Sequence, residues 1–419
     1  MKYLVLQYLQ RVSVQHPDPD AFWSRVLNQF TVTGGGRFMK KLITAVLTGT
    51  LAASFVMSAS AAETIKIGGI GPITGAAAIY GQSVKNGMEL AVEDVNASNP
   101  DLQFELQFED DEHDPEKSVN AYNTLKDWGM QLLGGTVTTS PCLAVGAEAL
   151  NDNMLMLTPS ASSQDVIDMG DNVFQVCFTD PNQGLASADY IKDQGLGEKV
   201  GVIYNSADAY SSGIYSTFMA EAEAVGLEVV AEEAFTDDNS TDLTTQVQSC
   251  QNAGADLIFL PIYYTPASQI LIAADKMGYT PKFFGCDGLD GLLTVEGFDT
   301  SLAEGVMLLT PFVADAEDEK TQDFVAKYAE KTGGDVPNQF AADGYDVVEA
   351  LYAACEEAGV TSDMDASEMC EAIKAVLTGG EFSYDGLTGE GMTWDASGAV
   401  SKAPRGMVIE NGEYVSLDA

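Results

Sequence analysis

Two stretches of this chain combine hydroxyl side chains with the start of a helix in a way that suits a small anion. At Leu132-Leu133-Gly134-Gly135-Thr136-Val137-Thr138-Thr139-Ser140-Pro141 a short apolar run empties into hydroxyl residues, and at Met154-Leu155-Met156-Leu157-Thr158-Pro159-Ser160-Ala161-Ser162-Ser163 it happens again. Buried parallel strands read as continuous apolar runs. The amides that open the following helix have no intrahelical partner and lie at the positive end of its dipole. Thr and Ser also serve as plain helix caps. The same arrangement at the same point of two strand-to-helix units predicts a shared carboxylate-binding cleft beyond the carboxyl ends of the strands.

Residues for bond-breaking chemistry are scarce. The chain has two histidines, His16 and His113. A histidine metal cluster is therefore excluded, and a Ser-His or Cys-His nucleophile would rest on one residue. His113 lies in Glu109-Asp110-Asp111-Glu112-His113-Asp114-Pro115-Glu116, where Asp114 reads as an N-cap and Pro115 as the first helical residue. That context makes His113 a solvated loop residue. Carboxylate pairs are too abundant to single any out, and Gly68-Gly69-Ile70-Gly71 fails the spacing of a dinucleotide loop. No catalytic residue, metal or cofactor is expected. The six cysteines are Cys142, Cys177, Cys250, Cys286, Cys355 and Cys370. They allow sequential disulfides (142 with 177, 250 with 286, 355 with 370) or six buried free thiols.

The amino terminus explains the compartment in which such a cleft would work. Lys40-Lys41, the apolar run Leu42 to Met57 and the small residues Ala59-Ser60-Ala61 read as a secretory signal over 39–61. Residues 1–38 ahead of it read as a mis-called upstream extension. The signal implies export to the periplasm or the cell exterior. Of 20 basic and 63 acidic residues the leader holds six and two, leaving a formal charge of −47 on the mature 358 residues. Such a chain repels nucleic acid and anionic lipid. Its length exceeds what one hydrophobic core usually supports, so two lobes are expected.

Strands and helices must alternate to hold the two hydroxyl clusters at strand ends. Strands are expected at Thr64 to Ile70, Leu102 to Phe108, Val173 to Phe178, Lys199 to Tyr204, Glu228 to Ala231, Asp256 to Leu260 and Lys282 to Gly285. Helices are expected at Gly81 to Asn96, Pro115 to Trp128, Asp189 to Asp193, Ser212 to Val225, Leu243 to Asn252 and Ala267 to Met277. Three more follow at Gln322 to Lys331, Gly344 to Glu357 and Ala366 to Leu377, with short strands at Met392 to Trp394 and Arg405 to Ile409. The alternation predicts an α/β protein with doubly wound, parallel-type sheets.

Several of these pieces, in their order and spacing, resemble one family across the mature chain. They are Ile67-Gly68-Gly69-Ile70-Gly71-Pro72-Ile73-Thr74-Gly75 with Tyr80-Gly81, Glu109-Asp110-Asp111 through Asp114-Pro115, Gly135 to Ser140, Thr158 to Ser162, Asp180 through Gln183-Gly184, and Thr393-Trp394-Asp395 with Gly398. Together they are similar to the type I periplasmic binding proteins that deliver leucine, isoleucine, valine and related amino acids to ABC transporters. The resemblance implies two lobes, 62–179 with 312–404 and 180–311 with 405–419. It also implies a three-segment hinge near Thr179, Pro311 and Pro404 that closes on ligand. The expected partners are an amino acid and the permease subunits of an ABC importer, the chain itself being a monomer. A small amide or urea-like solute is the alternative ligand, and a secreted enzyme the alternative class.

By the same resemblance, Thr139 would take the ligand carboxylate, and Ser160 (through its backbone) and Ser162 would line the second hydroxyl cluster; Ser140, beside Thr139, is a further ligand-binding candidate. Tyr80, Asp180 and Tyr210 would line the cleft, Tyr263 would come from the second lobe, and Asp287 would hold the ammonium. Hydroxyls and amides for a carboxylate, with an acid and aromatic faces for a cation, form a consistent chemistry. Asp287 beside Gly288 also suits a plain turn, and Tyr263 suits core filling. Where some members join the loop before the second helix to the first hydroxyl cluster by a disulfide, this chain has His113 and Thr138. Where well-known members have glutamate it has the shorter Asp287, a change that bears on ligand preference.

Overall fold

The computed structural model describes residues 63–417; the expected signal and upstream extension lie outside the described residues. The first layer is built on strands β1 (Glu63–Gly71), β2 (Leu102–Asp110), β3 (Leu132–Leu133), β4 (Met156–Thr158) and β5 (Val173–Gln175). They pair throughout in parallel, in the order β2-β1-β3-β4-β5. Between them run helices α1 (Ala78–Ser98), α2 (Pro115–Trp128), α3 (Thr139–Asp152) and the single turn α4 (Gln164–Ile167). Helix α2 begins as the sequence requires, with the Asp114 carboxylate accepting from Lys117 N and Pro115 in the first turn. It ends at Gly129, whose φ of 94° few other residues tolerate.

The chain then enters a second layer. Helix α5 (Asp180–Asp193) leads to β6 (Lys199–Asn205), α6 (Ala209–Val225), β7 (Glu228–Phe235), α7 (Thr244–Ala253), β8 (Leu257–Leu260), α8 (Tyr264–Lys276), β9 (Lys282–Gly285) and β10 (Met307–Thr310). Helices α9 (Glu319–Thr332), α10 (Gln339–Ala358) and α11 (Ala366–Leu377) return to the first layer, where α9 and α10 pack on α1. A hairpin of β11 (Arg405–Glu410) and β12 (Glu413–Ser416) completes the second sheet, in the order β12-β11-β10-β9-β8-β6-β7. Its β10-β9-β8-β6-β7 part is parallel, and the hairpin adds antiparallel edges. The architecture is the expected α/β one, and the chain passes between the layers three times.

Three local expectations change. Helix α5 starts nine residues earlier than expected, because the Thr179 hydroxyl accepts from Asn182 N and Pro181 fits the first turn. Strands β10 and β12 were not expected; Met307–Thr310 is buried along its whole length, so it shows no alternation to read, and Glu413–Ser416 is a short edge strand after a turn. The segment around Met392 forms isolated bridges, Tyr384 with Met392 and Trp394 with Val400, in place of a strand.

The sequential disulfides are not formed: all six cysteines are buried and unpaired. Cys250 packs with Ile203 and Ile258, whereas Cys286 packs with Val202 and Phe259. Alternating residues point to opposite faces, so the second sheet itself separates these two thiols. Cys142 lies in the α2–α3 core, and Cys370 Sγ approaches Asn153 Oδ1 at 3.6 Å. Burial pushes the thiols of Cys142, Cys250 and Cys370 up to about 12, which makes them inert.

Candidate ligand-binding cleft

The first hydroxyl cluster lies where β3 gives way to α3. Thr138 is the N-cap residue and Thr139 the first helical residue; Thr139 is 1% exposed, and its buried hydroxyl has no hydrogen-bond partner among the described residues. Ser140 is half-buried at the second position of the helix. The second cluster follows β4 and is laced to the first. Thr158 Oγ1 donates to Thr136 O at 2.6 Å, and Ser160 Oγ donates to Val137 O at 2.7 Å. The hydroxyl of Ser160 is thus engaged by backbone. Ser162 donates to Asp180 Oδ1 at 2.6 Å, while the other carboxylate oxygen of Asp180 is buried without a partner. Burial raises the Asp180 carboxyl well above the usual range, against the Ser162 hydrogen bond.

The second layer contributes the aromatic and acidic wall. Tyr210, in the first turn of α6, donates to Asp287 Oδ1 at 2.7 Å and accepts from Gly288 N at 3.0 Å. Its ring stacks on Tyr263 with centroids 4.9 Å apart and planes 14° from parallel. Asp287, 3% exposed, also donates its backbone N–H to Gln183 Oε1 at 3.3 Å. Burial pushes its carboxyl up to about 6, with the Tyr210 hydrogen bond opposing. Tyr80 of α1 reaches across from the first layer: its hydroxyl donates to Gly288 O at 2.6 Å and accepts from Tyr264 N at 3.3 Å. The Tyr80 ring meets Tyr263 edge-on at 5.5 Å and Phe340 at 4.4 Å.

His113 is not a solvated loop residue. Its Nδ1 lies 2.8 Å from Thr138 Oγ1, and its ring stands edge-on to Tyr263 at 5.6 Å and 88°. Burial holds its pKa below the ordinary value, against the attraction of Asp237 and Asp114. The capping pattern placed it in a loop and could not say that the loop folds over the cleft. The signal that could have found it was the resemblance, which singled out His113 and Thr138 together as a pair of positions. A continuous series of contacts therefore runs Thr138, His113, Tyr263, Tyr210, Asp287, joining the anion-suited helix start to the buried carboxylate.

A family model described as periplasmic binding protein matches residues 64–412. The Leu/Ile/Val-binding protein BraC3 of Rhizobium johnstonii is 29% identical over 326 residues, covering 76% of this chain and 86% of its own. The leucine-binding protein LivK of Thermotoga maritima is similar in structure, with a TM-score of 0.74 at 25% identity, covering 84% of this chain and 97% of its own. LivJ of Streptococcus pneumoniae, a branched-chain amino acid transporter substrate-binding protein solved with isoleucine, gives 0.75 at 24%, covering 84% and 98%. The match runs from the first strand through β11, across both layers and the cleft between them, and so the chain belongs to the periplasmic binding protein family.

Proposed function

We propose that this protein captures a neutral amino acid of the branched-chain or aliphatic class between two lobes and hands it to the permease subunits of an ABC importer. The observation that carries this reading is the series of contacts linking Thr138, at the start of α3 beside the buried Thr139 hydroxyl, to Asp287. A buried hydroxyl and free helix amides suit a carboxylate, and a buried acid among tyrosines suits an ammonium. Tyr80, Thr139, Ser140, Ser160, Ser162, Asp180, Tyr210, Tyr263 and Asp287 are assigned to the site, Ser160 through its backbone. The lobes are taken as 62–179 with 312–404 and 180–311 with 405–419, hinged near Thr179, Pro311 and Pro404. The chain acts as a monomer in the periplasm, or outside the cell, after its leader is removed. It binds and releases its ligand unchanged.

The names of the relatives, one a Leu/Ile/Val-binding protein and another crystallised with isoleucine, support the ligand class. Thermal melting of the purified protein with each amino acid and a set of small amides tests it, since a ligand that binds only the native state raises Tm. Stabilisation by leucine, isoleucine or valine is expected. Stabilisation by amides alone would replace the amino acid with an amide ligand.

A further inference from the structure

Six long helices of this chain begin with a side-chain cap. Asp114, Thr179, Asp208, Asp318, Asn338 and Asp365 each accept a hydrogen bond from the third backbone amide of the helix, and Ser163, at the short α4, accepts from the second. At α3 the N-cap residue Thr138 has the required extended backbone and a suitable hydroxyl, yet it makes no cap bond. That hydroxyl is instead 2.8 Å from His113 Nδ1. The amides of α3 are few. Pro141 has no N–H, and the Cys142 amide donates to Thr138 O at 3.0 Å. The helix start therefore offers the amides of Thr139 and Ser140. A cap hydroxyl accepts from the second or third helical amide, so with proline third, Thr138 could cap only Ser140. Beside these amides the buried Thr139 hydroxyl has no partner among the described residues.

We propose that His113 is a positioning residue of the cleft: it draws the Thr138 hydroxyl away from α3 and so keeps the Ser140 amide open for the carboxylate of the bound amino acid. This deepens the amino-acid reading of the site and rests on it. The placement of His113 fits the role. Its backbone is left-handed, with φ of 62°, and its N–H donates to Asp111 Oδ1 at 2.9 Å. On the far side the ring is backed by Tyr263. Loop and second layer together hold the imidazole against Thr138. Without the imidazole the hydroxyl is free to turn onto the second amide of its own helix, as Ser163 does at α4.

Calorimetric titration with L-leucine of the wild type, His113→Asn, Thr138→Val and the double variant tests this. Asparagine tolerates a left-handed backbone and removes the ring; His113→Gly does the same without any side chain, and serves if the first variant fails to fold. Loss of one amide bond to a carboxylate should weaken L-leucine binding about tenfold or more in His113→Asn. Valine cannot cap, so His113→Asn with Thr138→Val should recover most of that loss. L-leucinamide, which lacks the carboxylate charge, should lose less than L-leucine on His113→Asn. Binding by His113→Asn equal to wild type, or a double variant as weak as His113→Asn, would overturn the proposal. Failure of the wild type to bind any branched-chain amino acid would overturn the ligand reading and this inference with it.

Discussion

Asp287 concentrates the chemistry of the cleft in one side chain. It is buried, it accepts from Tyr210, and burial pushes its carboxyl up to about 6. An ammonium is attracted only to the ionised form, so proton and ligand compete. Leucine affinity should be level above pH 6 and fall as the pH drops below it, approaching about tenfold per pH unit. Titration calorimetry across pH 5 to 8 would show this, and a flat profile would remove the ammonium from Asp287. Truncation as Asp287→Ala should cost about 2 kcal/mol or more of binding energy, as for a buried charged partner. A receptor for a neutral amide would lose less. The family resemblance pointed to Asp287, Thr139 and the tyrosines, and their residue types suit a zwitterion. Neither could show that Ser162 spends its hydroxyl on Asp180, or which carbonyl engages the Ser160 hydroxyl, because those partners are brought near only by folding.

Among the elements, α1 and α10 have the closest packing to explain. A Cβ on Gly87 would lie 2.0 Å from Ala341 O, and one on Gly344 would lie 2.5 Å from Val84 O, so the two backbones touch where the helices cross. Gly87→Ala should therefore destabilise the protein by about 1–3 kcal/mol, as overpacking does. That outweighs the gain of about 1 kcal/mol that alanine brings to an exposed helix. Urea unfolding measures the sign, and a stabilised variant would show that the helices can move apart freely. Helix α1 carries Tyr80 and α10 carries Phe340, whose rings meet, so the same change should also weaken ligand binding. The apolar spacing of both helices was visible in the sequence. Their mutual approach was not, because Gly87 and Gly344 have no side chain to add to the pattern. Strand β10 escaped for a related reason, since a run buried on both faces carries no period.

Over the whole molecule, burial of carboxylates reverses the usual effect of mild acid. Burial pushes Asp111, Asp208 and Asp287 up to about 6, and Asp290 and Asp343 up to about 7. In the unfolded chain the same groups titrate near about 4. Between these values the native state binds more protons than the unfolded state, so stability falls as pH rises through the window. The ligand-free protein should therefore melt at a higher temperature at pH 5 than at pH 7.5, and relief of self-repulsion in so acidic a chain adds in the same direction. A melting temperature that fell on acidification would mean that these carboxylates are solvated. The sequence by itself determined the α/β alternation, the acidic charge, the scarcity of catalytic side chains and the two hydroxyl-rich strand ends, because each is written in local periodicity or composition. Tertiary structure alone decided that the six thiols stay buried and unpaired, the second sheet for one standing between Cys250 and Cys286. It also decided that His113, far from Tyr263 in sequence, lies against it. Local patterns report which face a residue occupies within its own element, and only the packing of one layer against the other fixes what that face meets.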